Sequence, residues 1–310
     1  MRTDRPLLFA GLAVALLVLP ARAHVGERVY PIYELPTSAL PDLHDGTLDD
    51  WKAVLPGPSL DSGEFPGLSA FDPVLGQASL SFRVWLAWHH VSQRLFVAAE
   101  WVDDVFWSPY AGVNGSSGRQ HSDGFDILLD GDHSGGQYWP TYTMFDMSDV
   151  YTGKNKLISC VQAQDYGVVF RAADGTNAGL YGPLRDFWLN HPPYMDMDGF
   201  VTDGATVTAS VEVALTAWDH LNIDDAGQSV ASRLVAGAII GFDFVVWDWD
   251  GPANPGDARG YMLLGTVDQV NSSGFKDAEL VPCDQEDCSG ASDGSFVDSD
   301  SWARIKARSR

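Results

Sequence analysis

Basic residues are scarce in this chain of 310 residues: 19 Lys and Arg stand against 42 Asp and Glu, for a net charge of −23. A surface of that sign repels nucleic acid and anionic membranes, so neither is an expected partner, while cations and neutral ligands are favoured. Cysteine is scarcer still, with three, and no Cys/His spacing suggests zinc. Catalytic signatures are missing as well. There is no G-x-S-x-G, no His-Glu-x-x-His and no glycine-rich phosphate loop. A glycosidase needs two carboxylates about 5–10 Å apart, and too many acids qualify here to nominate a pair. A non-catalytic protein is therefore expected.

Long apolar runs are also absent after the first 23 residues, so no membrane insertion is expected. Those first residues read as a signal peptide. Arg2 and Arg5 precede an apolar run over 6–19, and Ala21-Arg22-Ala23 forms the A-x-A cleavage pattern. The mature chain, 24–310, is thus expected to be secreted or periplasmic. In that oxidising setting Cys283 and Cys288 are expected to close a small disulfide loop, and Cys160 to be a buried free thiol.

What the chain does have is alternation. Gly, Pro, Asp, Asn and Ser recur every 8–15 residues, and the segments between them read as strands. These are 79–88, 94–103, 124–130, 138–145, 156–163, 166–172, 205–215, 236–249, 261–266 and 301–307. The one helical turn expected is 216–221, and 24–43 and 284–300 read as loosely held approaches. An all-β fold follows: a single antiparallel β-sandwich of jelly-roll or immunoglobulin-like type. Parity adds detail. Val207, Val211, Val213 and Leu215 share one face while Thr208, Ser210 and Glu212 share the other. Glu100, Asp126 and Asp243 likewise stand opposite apolar neighbours, Asp243 beside Trp247, which predicts a polar face able to bind a ligand.

Two further signals concern chemistry. Asp130-Gly-Asp132, Asp196-Met-Asp198 and Asp248-Trp-Asp250 are Asp-x-Asp pairs, and the first continues as DGDHSGG, like the opening of a calcium loop. Its twelfth position is Thr141 and not the bidentate Glu of an EF-hand, so Asx-turns remain the alternative. The expected metal residues are Asp130, Asp132, Asp248 and Asp250. Among eleven Trp, several fall in loops with Tyr: Trp107 and Tyr110, Trp139 and Tyr142, Trp188 and Tyr194. Rings stack on the C–H faces of sugars while carboxylates meet their hydroxyls, so an acidic, aromatic-rimmed face suits a neutral glycan. His89, His90 and His121 read as surface histidines.

Six pieces in order then resemble the family 9 carbohydrate-binding modules and their wider superfamily, which includes DOMON domains and the haem-binding subunit of ethylbenzene dehydrogenase. They are DGTLDDW (45–51), LFVAAEWVDD (95–104), SDGFDILLDGD (122–132), SVEVALTAWDHL (210–221), IGFDFVVWDWDG (240–251) and SWARIKA (301–307). Thr216-Ala217 departs from the usual Pro, and 133–200 is longer than in a minimal module. In this reading Asp45-Gly46 makes a turn, Leu48 and Trp51 plug the sandwich edge, and Asp49-Asp50 cap the start of the first strand. The resemblance implies a carbohydrate-binding sandwich with structural calcium, one that could assist a polysaccharide-degrading glycoside hydrolase. The ligand residues expected from strand parity and the loop aromatics are Trp107, Tyr110, Trp139, Tyr142, Trp188, Glu100, Asp126, Glu212, Asp243 and Trp247. The superfamily leaves open a haem-binding electron-transfer domain, with Met144, Met147 or Met262 as axial ligand, and an adhesion module that meets protein.

Overall fold

In the computed structural model the described residues are 28–55, 57–65, 80–110, 122–138, 160–169, 178–180, 188–251, 258–262 and 271–283. The signal peptide, Trp139, Tyr142, Met144, Met147, His121, Cys288 and the 301–307 strand lie outside them. Among the described residues there are fourteen strands: β1 (Val29–Glu34), β2 (Leu60–Asp61), β3 (Ser81–His89), β4 (Arg94–Asp103), β5 (Gly124–Asp130), β6 (Gln164–Val169) and β7 (Ala178–Leu180) come first. Then follow β8 (Met195–Thr202), β9 (Val207–Leu215), β10 (Trp218–His220), β11 (Val230–Ala231), β12 (Ile239–Trp249), β13 (Ala258–Met262) and β14 (Lys276–Val281). The one α-helix among the described residues is α1 (Asp49–Val54), and none is long and apolar enough to cross a membrane.

The strands run in the order β7-β6-β5-β12-β14-β1-β3-β4-β9-β8, with β13 on β12 and β2 on β3. This curled sheet folds into the expected all-β sandwich. Alternation explains why it closes. Phe82, Val84, Leu86, Val97, Ala99, Val211 and Val213 turn one way, and Phe125, Ile127, Phe242 and Phe244 come to meet them in a single apolar cluster. Phe65 joins the halves, its ring 4.8 Å edge-on to Phe82 and 6.1 Å from Phe244. The parity read from 205–215 holds: Val211, Val213 and Leu215 lie in this cluster and Glu212 does not.

Three expectations about elements are corrected. Residues 29–34 are not a loose approach. β1 pairs in parallel with β14 on one side and β3 on the other, and so joins the two halves of the sheet. The segment 216–221 is not helical either, because Trp218–His220 forms β10 against β11. Helix forms instead at DDWKAV, where Asp49 and Asp50 in the first turn suit the positive end of the helix. Those acids therefore open a helix and do not cap a strand.

The residues from Leu35 to Leu55 lie as a layer on the outer side of β3, β4 and β9. Leu43, Leu48, Trp51 and Leu55 pack there on Trp85, Phe96, Ala98 and Ala214 in a second apolar cluster. Gly46 makes the turn at φ +80°, and an added Cβ would stand 3.1 Å from the Phe200 ring. The positive φ favours glycine there, and any side chain would also have to displace the Phe200 ring. His89 is buried and not a surface histidine. Its Nε2 lies 3.0 Å from Thr37 Oγ1 and its Nδ1 2.9 Å from Ser92 Oγ. His90 is exposed and pairs with Glu34.

Candidate functional site

Three strands end together at one end of the sandwich. β4 finishes on Asp103, β5 starts just after Asp123, and antiparallel β12 passes Gly124 at Trp247 before reaching Asp248 and Asp250. Asp103, Asp248 and Asp250 each bring one carboxylate oxygen within 4.8 Å of the others. Asp103, Asp123 and Asp248 are fully buried, while Asp250 is exposed.

Asp123 organises the loops around this cluster. One of its oxygens accepts the Trp107 N–H at 2.5 Å and the other accepts the Trp249 N–H at 2.7 Å. Its own N–H donates to the Trp107 carbonyl at 2.8 Å. The 104–110 loop is thereby stitched to the end of β12. Burial pushes the Asp123 carboxyl up to about 9, with Asp103 and Asp248 adding to the rise against two backbone N–H donors that oppose it. Asp103 is pushed up to about 6, again chiefly by burial. Carboxylates crowded in a dry site repel one another unless protons or a cation neutralise them. The donor set fits a hard divalent cation: calcium takes six to eight oxygens, and three carboxylates with backbone carbonyls and water can supply them.

The expected metal residues divide between two places. Asp248 and Asp250 are in the cluster; Asp130 and Asp132 are not. Asp130 is buried, with one oxygen accepting from Ser134 N at 3.1 Å and the other from Gly135 N at 2.7 Å, and Asp132 accepts from Ser134 N at 3.0 Å. Backbone donors close that loop as an Asx-type turn. Asp196 and Asp198 sit on β8 and not in a loop, and each faces a ring nitrogen of His44. Sequence reasoning missed Asp103 and Asp123 as site residues, although both stand in quoted motif pieces, VDD and SDGFD.

The expected ligand residues that are described do not form one face. Glu100 and Glu212 lie on the outer side of the β3-β4-β9 half, under the 35–55 layer. Glu100 pairs with Lys52 and Arg83, and Glu212 is buried against Trp51. Asp126 and Asp243 lie on the outer side of the β5-β12 half, where Trp247 Nε1 donates to Asp126 Oδ2 at 2.8 Å. Asp165, which was not nominated, joins them from β6: Leu128 is the register partner of both Asp165 and Asp243. Trp107 is half-buried at the carboxylate cluster, whereas Tyr110 is buried on Val169. Trp188 is half-buried elsewhere, edge-on to Tyr194 at 4.8 Å and to Trp218 at 5.3 Å. Met262 lies in β13. Cys160 is buried, as expected, and Cys283 lies just past β14, its N–H donating to Glu34 Oε2 at 3.1 Å.

No protein-family model matches the sequence, and no curated protein does. Among solved structures, the chain is similar to a family 9 carbohydrate binding module from Caldicellulosiruptor kristjanssonii in complex with cellotriose. That match has 16% identity and a TM-score of 0.48, and it covers 81% of this chain and 94% of that one. It is also similar to a family 9 module from the same organism in complex with glucose, at 15% identity and a TM-score of 0.49, covering 81% of this chain and 96% of that one. The family whose motif order the sequence resembles is the family of both structures.

Proposed function

We propose that this chain is an exported, non-catalytic module that binds a neutral oligo- or polysaccharide at the sandwich end carrying Asp103, Asp123, Asp248 and Asp250. The observation that carries this reading is the convergence of three carboxylates beside the half-buried Trp107, whose backbone is held by Asp123. Asp103, Asp248 and Asp250 would hold calcium, which when bound neutralises the crowded carboxylates and ties β4 to β12. With that end fixed, Trp107 offers a ring to the apolar face of a sugar, and acids along the rim offer acceptors to its hydroxyls. A pre-ordered loop loses less entropy on binding, so the cation and the glycan should bind cooperatively. A polysaccharide-degrading glycoside hydrolase is the fitting enzyme partner, and a Cys283–Cys288 bridge suits the exported setting.

A glycan array that includes glucose and cello-oligosaccharides, probed with the mature protein in calcium and in chelator, tests the reading. Binding to at least one neutral glycan in calcium, weaker in chelator and lost in Trp107→Ala, is expected. An array with no glycan retained above background in either buffer overturns it.

A further inference from the structure

The layer over residues 35–55 is tied to the sheet by groups that can gain or lose protons. His44 Nε2 lies 3.1 Å from Asp196 Oδ1, and its Nδ1 lies 3.2 Å from Asp198 Oδ2. Carboxylate oxygens only accept, so both contacts are hydrogen bonds only when both ring nitrogens carry protons. Seven residues further on, Trp51 Nε1 donates to Glu212 Oε1 at 2.6 Å. The other oxygen of Glu212 is buried without a hydrogen-bond partner, in the apolar cluster of Trp51, Trp85, Ala98 and Ala214. An ionised carboxylate with one bare oxygen in such a place is costly, and a neutral acid is far less so.

We propose that residues 43–55 form a proton-linked latch, docked on β8 and β9 when His44 is an imidazolium and Glu212 a neutral acid, and loosened as the pH rises past neutrality. The surrounding charges act in the same direction. Asp196 and Asp198 face His44 from β8, and Asp42 and Asp45 flank it on its own segment. Asp50, Asp45 and Asp42 of the layer bear on Glu212, and Asp198 is its register partner on β8. From β4, Ala98 opposite Glu212 carries no charge. Arg94 of β4 feels Asp196, but its guanidinium bonds to the Ala214 carbonyl at 2.6 Å. Lys52 and Arg83 are both taken up by Glu100. Deprotonating Glu212 and His44 therefore leaves the layer facing acids with Lys52, already paired with Glu100, as its one cation.

Burial pushes Glu212 up to about 8, with the three layer aspartates adding. The hydrogen bond to Asp198 raises His44, burial opposes it, and Asp196 adds to the rise, so the net shift is upward. Both docked groups therefore hold protons more tightly than undocked ones. Docking is strongest below the undocked values and is lost as the pH rises through the docked ones. Across that window each linked proton changes the opening equilibrium by about tenfold per pH unit.

Hydrogen exchange on the full chain reads this directly. The Lys52 and Leu55 amides, bonded to Leu48 O and Trp51 O, should lose protection by about tenfold or more per unit between pH 6 and 8, after correction for intrinsic rates. Amides in the β4–β9 ladder should not follow. In Glu212→Gln most of the slope should vanish, because the amide keeps an acceptor for Trp51 and carries no charge. The exposed His44→Gln variant, which should fold in any case, should lower protection at pH 6 and keep only the Glu212 part of the slope. Protection that is flat from pH 6 to 8 in the wild type, or a slope unaltered in either variant, overturns the latch.

Discussion

Trp51 and Glu212 stand 161 residues apart in the sequence and meet through a 2.6 Å hydrogen bond in the buried seam between α1 and β9. The bond gives DGTLDDW its role. The turn at Asp45-Gly46 aims the chain back over the sheet, the short helix follows, and the indole of Trp51 reaches the one acid on that part of β9. The aromatic supplies both the apolar area and the donor.

Replacing Trp51 tests these two contributions separately. Trp51→Phe keeps most of the ring and removes the N–H, which leaves Glu212 buried without its donor. A loss of about 1–3 kcal/mol is expected. Trp51→Ala adds a cavity and should cost about 3–5 kcal/mol. Urea denaturation compares the two: a Trp51→Phe variant as stable as the wild type would show that the hydrogen bond contributes nothing, and equal losses would show that the ring adds nothing beyond it.

β1 carries a second prediction, because it joins the halves of the sheet through parallel pairing to β14 and β3. Without it both neighbours lose backbone partners, and Ile32 leaves the core. A mature chain started at residue 36 should fail to give a cooperative thermal transition. A chain started at residue 28 should melt like the full mature protein.

Acid should act through His89. Burial lowers its pKa, with His90 adding to the effect and Glu34 opposing it. The unfolded chain therefore binds this proton more readily than the native one. Stability from this group is full above the unfolded value of about 6.5 and is lost as the pH falls below it. The direction is opposite to that of Glu212. His89→Asn should therefore flatten the decline in melting temperature between pH 6.5 and 5, even if the variant is less stable throughout. A decline of the same steepness in the variant would assign it to other groups.

Much of the sandwich was legible because strands alternate with period two. Val211, Val213 and Leu215 against Ser210 and Glu212 gave the correct faces of β9 before any contact was known. What failed was local. Met195–Thr202 contains Asp-x-Asp-Gly and reads as a loop, yet it is a strand whose one neighbour among the described residues is β9. A six-residue helix at Asp49–Val54 is too short to show a 3.6-residue period. β1 holds a Pro and pairs in parallel with distant strands, which alternation alone does not announce. The carboxylate cluster was half legible for a related reason. Asp248 and Asp250 advertise themselves by spacing, but Asp103 and Asp123 join them only through strand pairing. Asp130-Gly-Asp132 has the more suggestive spacing, and its backbone donors already close it as a turn.

The most direct measurement is a calorimetric titration of calcium into metal-stripped mature protein, repeated for Asp248→Asn and Asp132→Asn, with the glycan then titrated into each sample. The predicted result is one saturable calcium site, weakened at least about tenfold in Asp248→Asn and unchanged in Asp132→Asn, with glycan affinity falling wherever calcium is lost. No calcium heat in the wild type, or a site that survives in Asp248→Asn and disappears in Asp132→Asn, would contradict a cation site at the end of β4 and β12.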